Sequence, residues 1–406
     1  MTWPNVLLVT SGLLGVGSAL KDGIGLKPHM GWSSWNVAQC NAASAKYALD
    51  TANKFVSMGL KDLGYEYVNI DDCWTTKNRD SQGKLVPDPS KWPNGIKPVV
   101  DQIHSMGLKF GLYGCAGAQT CAGYPGSEGR EKSDVAQLTS WGVDFWKYDN
   151  CYTPCRQNPR PQTCGNPTGN SSQWYAPMRD AVIGYNTQQT SVAKKMHFNL
   201  CNWGRDNVWT WGAGYGHSWR MSVDNWGDWA SVERIGSSAA DIYQFSAPGG
   251  FNDLDMLYLG SSKINANQEK LHFALWAIAK SPLVLGLDLN KISASTLAII
   301  KNKGLIDINQ DALGKPASIF RPPGAAAPVK GKIYPYWAGP LVDGVVIGLA
   351  AGTAAGRFGV DFKDVPGLQG GRSYVWKEMY TGQTGNGTSV SFDIGLHDMR
   401  VVKVTV

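Results

Sequence analysis

Two charged side chains lie two residues apart at the end of an apolar segment, Val143 to Asp149. Residues two apart in a β-strand project from the same face, so Lys147 and Asp149 point the same way. A lysine this close is expected to keep the carboxylate ionised and to depress its pKa, which suits a nucleophile. The alternative is an ion pair at a solvated strand end, which contributes little to stability or function.

The same pattern, a short apolar strand that ends in a polar or aromatic cluster, recurs along the chain. The other clusters are Gly31-Trp32-Ser33-Ser34-Trp35, Asn69-Ile70-Asp71-Asp72-Cys73-Trp74, Gly111-Leu112-Tyr113-Gly114, Asn199-Leu200-Cys201-Asn202-Trp203, Arg220-Met221-Ser222-Val223-Asp224, Asn252-Asp253-Leu254-Asp255-Met256 and Pro282-Leu283-Val284-Leu285-Gly286. Eight such units predict an α/β fold, a (β/α)8 TIM barrel over residues 20–312, with its chemistry at the C-terminal strand ends. An open doubly wound sheet is the alternative, but no Gly-x-Gly-x-x-Gly turn follows the first strand.

Helical periodicity is clearest between the first two strands. Six apolar residues there fall on one helix face: Ala45, Leu49, Ala52, Phe55, Val56 and Leu60. Residues 101–106 and 133–141 predict later helices. From residue 313 to 406, short β-rich segments such as 332–337, 344–349 and 400–404 alternate with glycine turns, which predicts an antiparallel β-sandwich. We interpret it as a stabilising domain in preference to a separate binding module.

Carboxylates at several strand ends are expected to meet at one rim of the barrel. Asp149 and Asp224, from the fourth and sixth strands, form the kind of pair that glycoside hydrolysis requires. Asp71 and Asp72 follow the second strand, where a turn or helix cap is the alternative to a ligand site. The six histidines lack the paired spacing of metal ligands, so we expect no metal and no organic cofactor.

Composition restricts the partners and the destination. The net charge of +6 is spread along 406 residues without a basic block, and only 17% of residues are charged, so nothing indicates nucleic acid. Seventeen tryptophans suit sugar recognition, although most single tryptophans are core residues. Residues 1–19 are typical of a secretory signal and too short to span a membrane. Eight cysteines and the sequons at Asn170 and Asn386 agree with a secreted, extracellular glycoprotein.

Seven of these motifs together resemble one family. They are Met30-Gly31-Trp32-Ser33-Ser34-Trp35-Asn36, Asp71-Asp72-Cys73-Trp74, Thr120-Cys121-Ala122-Gly123, Lys147-Tyr148-Asp149-Asn150-Cys151-Tyr152, Cys201-Asn202-Trp203-Gly204, Trp219-Arg220-Met221-Ser222-Val223-Asp224 and Asn309-Gln310-Asp311. In this order they are similar to the secreted, fungal-type α-galactosidases of glycoside hydrolase family twenty-seven. The resemblance runs from about Gly23 to the C-terminus and implies the same fold, a (β/α)8 barrel followed by an antiparallel β-sandwich.

The resemblance also implies residue roles. Asp149 matches the nucleophile of a retaining mechanism, and Asp224 matches the general acid/base, whose pKa is then expected to be raised. The residues that match the lining of the galactose pocket are Trp32, Asp71, Asp72, Tyr113, Lys147, Cys121, Cys151, Asn202, Trp203 and Arg220. The substrate implied is a small or polymeric α-galactoside. The oligomeric state is left open.

The family pattern further implies the disulfides Cys40–Cys73 and Cys121–Cys151, a local pair Cys155–Cys164, and free thiols at Cys115 and Cys201. One residue departs from the pattern: Asn202 stands where α-galactosidases often have a glutamate at the sugar's 2-hydroxyl. Two alternatives therefore stay open. One is a sibling hydrolase for α-N-acetylgalactosaminides, β-L-arabinopyranosides or isomaltose-type glucans, and the other is a non-catalytic sugar-binding protein.

Overall fold

The computed structural model describes residues 19–153 and 171–406. Its first eight strands are β1 Met30–Ser33, β2 Tyr67–Asn69, β3 Lys109–Cys115, β4 Phe145–Asp149, β5 His197–Cys201, β6 Ser218–Arg220, β7 Phe251–Asp253 and β8 Leu283–Leu285. They form one parallel sheet in the order β7-β6-β5-β4-β3-β2-β1-β8. Leu257, just beyond β7, bridges to Leu285 of β8 and joins the two ends of the sheet. The predicted barrel is therefore confirmed, and the open doubly wound sheet is excluded.

Helices follow most of these strands. They are α1 Trp35–Ala38, α2 Ala45–Ser57, α3 Lys97–Ser105, α4 Glu131–Trp141, α5 Ser172–Asn186, α6 Trp229–Ile242, α7 Ala266–Ile278, α8 Ala294–Ile300 and α9 Lys303–Asn309. Several begin at a side-chain cap: Asp228 accepts from the backbone of Ser231, and Asn265 forms a reciprocal capping box with Gln268. In the described chain the fifth unit has 3₁₀ turns in place of an α-helix.

The predicted helix between β1 and β2 is confirmed with two corrections, the first being that α2 ends at Ser57, so that Leu60 is buried but lies beyond the helix. Ala48, Thr51, Ala52 and Phe55 form the buried face of α2. Val56 was expected on that face, but it is 48% exposed. Because 3.6 residues complete a turn, Val56 lies about 100° from Phe55 and falls outside the stripe that meets the sheet.

A second sheet region follows the barrel. Its strands are β9 Ser318–Ile319, β10 Tyr336–Leu341, β11 Gly344–Ala350, β12 Gly356–Asp361, β13 Tyr374–Glu378, β14 Thr384–Gly387, β15 Ser389–Ile394 and β16 Met399–Thr405. They form an antiparallel six-stranded sheet, β14-β13-β16-β11-β10-β9, and an antiparallel pair, β12-β15. The apolar core between them contains Ile347, Leu349, Phe362, Tyr374 and Val402. The predicted sandwich is confirmed, although its first long strand begins at Tyr336, later than the predicted 332.

Helix α7 lies between the barrel and the sandwich. Its residues from Leu271 to Ile278 are all buried, because the helix contacts barrel neighbours on one side and β11 and β16 on the other. Met399 and Val401 of β16 accordingly belong to the same apolar core as the barrel. A helix that is apolar on all sides is expected where two layers enclose it.

Candidate active site

Asp149 is the last residue of β4 and is only 5% exposed. Its Oδ2 accepts a hydrogen bond from the Tyr113 hydroxyl (2.9 Å), and its Oδ1 accepts one from the backbone N–H of Asn150 (2.8 Å). Burial raises the pKa of Asp149 to about 6, although the charge of Lys147 and these hydrogen bonds oppose the rise. The carboxylate is thus oriented by two donors and is ionised above about pH 6.

Lys147 lowers the pKa of Asp149 as predicted, but burial outweighs it, so the expectation of a depressed pKa is wrong. The two residues share a strand face, but the Lys147 ammonium bonds Asp71 Oδ2 at 2.7 Å. Burial lowers the pKa of Lys147, but the charges of Asp71, Cys201 and Asp149 together outweigh burial and the pKa is raised. The lysine side chain is long and flexible enough to reach the end of another strand. Its position on the same strand face as Asp149 therefore does not determine which carboxylate it binds.

Asp71 and Asp72 lie beyond the end of β2, where strand alternation no longer applies. The backbone N–H of Asp71 donates to Ser34 Oγ (2.9 Å). Asp72 Oδ2 accepts from the backbone N–H of Ala122 (2.8 Å), and its Oδ1 accepts from that of Cys73 (2.7 Å). Burial raises the pKa of Asp72 to about 6. The pair therefore does organise a turn, and it also places two buried carboxyls at the barrel rim.

Asp224 lies four residues after Arg220, the last residue of β6. Its side chain is 49% exposed, and its Oδ1 accepts from Arg220 Nη2 at 2.8 Å. Burial would raise the pKa of Asp224, but the adjacent guanidinium outweighs burial and holds the pKa below its ordinary value. The expectation of a raised pKa is therefore wrong for the free protein. The reason is Arg220, which the sequence places four residues away without indicating where its guanidinium points.

Asp255 also lies in the candidate site, although its sequence context alone did not predict a role for it. Its Oδ1 lies 2.9 Å from Arg220 Nη1, and both residues are buried. Asp255 and Met256 line a cavity together with Asp71, Lys147 and Arg220. Asp255 belongs to the polar cluster at the end of β7, which the sequence does show. Its contact with Arg220, however, depends on how the strands associate.

Two disulfides support the rim. Cys40–Cys73 joins the segments after β1 and β2, and Cys121–Cys151 joins those after β3 and β4, as the resemblance implied. The sulfur atoms of Cys121 and Cys151 and a carboxylate oxygen of Asp149 lie within 4.8 Å of one another. Such spacing can hold a metal, but here both thiols are consumed by the disulfide, so it forms a wall beside Asp149.

Two thiols flank Asp149 on the neighbouring strands. Cys115 of β3 and Cys201 of β5 pair in register with Asp149, and both are free and buried. The predicted Cys155–Cys164 pair, the sequon at Asn170 and the signal segment 1–18 lie outside the described residues.

Peptide mapping under non-reducing conditions is expected to recover Cys40–Cys73 and Cys121–Cys151. Burial raises the pKa of Cys115 and of Cys201 well above the ordinary value, so neither thiol is expected to react with iodoacetamide until the protein is unfolded. Alkylation in the native and in the denatured protein compares the two states directly. A disulfide at Cys115 or Cys201 would contradict the assignment.

The remaining predicted site residues differ in their burial and in their hydrogen-bond partners. Trp32 is almost wholly buried and donates its indole N–H to the carbonyl of Leu287 (2.8 Å). Trp203 is half-buried in a left-handed conformation, φ +63°. Asn202 is 0% exposed, and its amide nitrogen donates to Ser171 Oγ (3.1 Å). A direct contact between Asn202 and a sugar stays a prediction, because in the described structure its side chain is packed among protein groups.

Taken together, the rim holds a buried carboxylate oriented by two donors and a half-exposed carboxylate beside an arginine. Asp71, Asp72 and Lys147 add further hydrogen-bonding groups at the same rim. Paired carboxylates among polar groups at the C-terminal end of a parallel barrel define a glycosidase of the barrel type.

Comparisons with known proteins identify the family. The family model described as Alpha galactosidase A matches residues 27–311, and the model for the alpha galactosidase C-terminal beta sandwich domain matches residues 332–404. The chain is 38% identical over 422 residues to a probable alpha-galactosidase B of Penicillium simplicissimum, covering 95% of this chain and 94% of that protein. The chain belongs to the alpha-galactosidase family of glycoside hydrolases.

Solved structures agree with this assignment. Alpha-galactosidase I from Mortierella vinacea superimposes with a TM-score of 0.84 at 33% identity, covering 95% of this chain and 98% of that one. The Saccharomyces cerevisiae α-galactosidase with raffinose has a TM-score of 0.80 at 28% identity and covers 94% and 98%. A β-L-arabinopyranosidase from Geobacillus stearothermophilus, at 18% identity and a TM-score of 0.78, shares the fold.

Proposed function

We propose that this protein removes terminal non-reducing α-D-galactosyl residues from galacto-oligosaccharides and galactomannan-type polysaccharides, with retention of configuration. The observation that carries the proposal is the placement of Asp149 and Asp224 on one barrel rim, in a chain aligned with α-galactosidases over 95% of its length. The raffinose complex of the Saccharomyces cerevisiae enzyme supports an α-galactoside substrate.

The mechanism is a double displacement. The Asp149 carboxylate attacks the anomeric carbon while the glycosidic bond breaks, and Asp224 gives its proton to the departing oxygen. A covalent β-galactosyl-enzyme results. Asp224, now a carboxylate, takes a proton from water as that water attacks the anomeric carbon, which frees Asp149 and releases α-galactose.

In the free protein the pKa of Asp149 is raised and that of Asp224 is lowered, so this mechanism requires a transfer of protonation from Asp149 to Asp224 when the substrate binds. With the pKa of Asp149 at about 6 and that of Asp224 lowered by Arg220, the proton of the resting site favours Asp149 over Asp224. The productive form has the opposite arrangement. We infer that the bound sugar, by excluding water from the half-exposed Asp224, raises its pKa and makes it the acid.

The surrounding groups form the proposed galactose subsite. Ionised Asp71 and Asp72 are acceptor-only groups that suit the 4- and 6-hydroxyls, and Lys147 fixes the orientation of Asp71. Tyr113 orients Asp149, Asn202 is assigned to the region of the 2-hydroxyl, and Arg220 lines the pocket. Trp32, Trp203 and the Cys121–Cys151 disulfide supply the apolar walls.

The destination and the domain roles are also proposals. We place a cleaved secretory signal at residues 1–19, the catalytic barrel at 20–312 and a stabilising sandwich at 313–406. In the described residues we find two disulfides and an exposed Asn386 sequon, which fit an extracellular glycoprotein. Among those residues, no helix has the length and apolar character needed to cross a membrane.

A panel of aryl glycosides tests the proposal. The α-galactoside is expected to be preferred over the α-N-acetylgalactosaminide by at least about a hundredfold in kcat/KM, because an acetamide would have to displace the fully packed Asn202. Aryl β-L-arabinopyranoside and isomaltose complete the panel. Comparable rates on the first two substrates would assign the enzyme to a sibling activity, and binding of galactose without hydrolysis of any of them would make it a sugar-binding protein.

A further inference from the structure

One guanidinium is shared between two carboxylates at the rim. Arg220 Nη2 donates to Asp224 Oδ1 at 2.8 Å, and Arg220 Nη1 lies 2.9 Å from Asp255 Oδ1. Arg220 and Asp255 are each 3% exposed, whereas the Asp224 side chain is half-exposed. The buried partner is therefore shielded from water and the exposed partner faces the substrate.

Asp255 is held in place from several directions. Its Oδ2 accepts from the backbone N–H of Asn225 (2.7 Å), its own N–H donates to Asp253 Oδ1 (2.8 Å), and its carbonyl accepts from the Trp276 indole (2.8 Å). Its φ of +75° is left-handed, a conformation that residues with a Cβ rarely adopt unless their surroundings impose it. The Asp255 carboxylate is thus kept against Arg220 whatever Asp224 does.

The acid role of Asp224 creates a need for this second carboxylate. When Asp224 takes up a proton it loses its charge, and a buried guanidinium left without a counterion is strongly unfavourable. Burial and the charge of Asp224 raise the pKa of Asp255, while Arg220 opposes the rise. Protonation of Asp224 removes its share of this effect, so Asp255 is then favoured as the ionised counterion of Arg220. Without it, Arg220 would depend on Asp224 alone and would oppose protonation of Asp224.

Resting on the proposed role of Asp224 as acid/base, we propose that Asp255 is a positioning residue that retains Arg220 and so allows Asp224 to become protonated. The other charged or titratable groups that act on the three residues are Asp149, Asp253, Lys147, Arg234 and Cys201, with His272 next to Asn225. Among the described contacts, Arg220 is the group that pairs with both carboxylates.

The test compares two substrates in each variant. Methyl α-galactoside needs an acid for its poor leaving group, whereas α-galactosyl fluoride does not. At a pH above both catalytic pKa values, kcat/KM for methyl α-galactoside is proportional to the small protonated fraction of Asp224, so a tenfold loss equals one unit of its pKa. Asp255→Asn is expected to lower this rate at least about tenfold and to leave the fluoride rate within about threefold. Asp255→Glu is expected to restore part of the loss.

The ratio of the two rates in one sample is independent of the folded fraction, so an unstable variant still gives an answer. Asp134→Asn is the matched control, since it removes a buried carboxylate that pairs with a different arginine, Arg79 (2.7 Å), and its ratio is expected to stay near that of the unmutated enzyme. Equal losses on both substrates, or no loss with Asp255→Asn, would overturn the proposal. Failure of the proposed function itself would appear separately, as an unmutated enzyme that hydrolyses neither substrate.

Discussion

Asp149→Ala is expected to lower kcat on aryl α-galactosides by several orders of magnitude, and sodium azide is expected to restore part of the lost activity. The variant lacks the oxygen that attacks the anomeric carbon, so the covalent intermediate cannot form. Azide fits the space that the carboxylate leaves and attacks from the same side. Because only one displacement then occurs, the product is expected to be β-galactosyl azide, which proton NMR identifies.

The control for this variant is Asp144→Ala. Asp144 precedes the first residue of β4, so it lies at the opposite end of the strand, and its Oδ2 binds His104 Nε2 (2.7 Å) and the backbone N–H of Phe110 (2.8 Å). Its loss is expected to reduce stability by about 1–3 kcal/mol with kcat unchanged and no response to azide. Near wild-type activity in Asp149→Ala would show that another group is the nucleophile.

Asp224→Ala is expected to give the second largest effect, and one that depends on the leaving group. General acid catalysis contributes about 10²–10⁴-fold, so kcat/KM for melibiose or methyl α-galactoside should fall by that factor while α-galactosyl fluoride still forms the intermediate. The second step also slows because water lacks its base. Azide needs no base and should accelerate that step, and since it attacks the β-linked intermediate, its product is expected to be α-galactosyl azide.

The opposite anomers from the two variants separate the nucleophile from the acid/base in one assay. Asp228→Ala serves as the local control for Asp224, because it removes the N-terminal cap of α6 without touching the rim. It should cost about 1 kcal/mol of stability and leave the leaving-group dependence unchanged. An equal loss on all substrates with Asp224→Ala would exclude Asp224 as the acid.

The positions of the site residues could be predicted from the sequence, because they follow from local patterns. Each of the eight strands occurs where an apolar segment precedes a polar cluster, and parallel strands bring their C-terminal ends to one rim. The sandwich could be predicted for the same reason, since short alternating segments and glycine turns are also local signals.

The electrostatics of the site could not be predicted, because they depend on side chains that meet across the fold. Lys147 was expected to control Asp149, but its ammonium binds Asp71, and burial then dominates the pKa of Asp149. Asp224 was expected to be the group with a raised pKa, but Arg220 reverses the sign. The role of Asp255 was missed because its partner lies 35 residues earlier in the chain, on another strand.

Helix α7 couples the stability of the barrel to that of the sandwich. The helix follows β7 and is part of the barrel, but its buried residues also pack against β11 and β16 of the sandwich. The boundary that we place near residue 312 is therefore a boundary of topology and not of cooperativity. Separation of the two regions would expose an apolar helix that forms part of the barrel wall. Loosening of the sandwich would also destabilise the segment after β7, because the indole N–H of Trp276 in α7 donates to the carbonyl of Asp255.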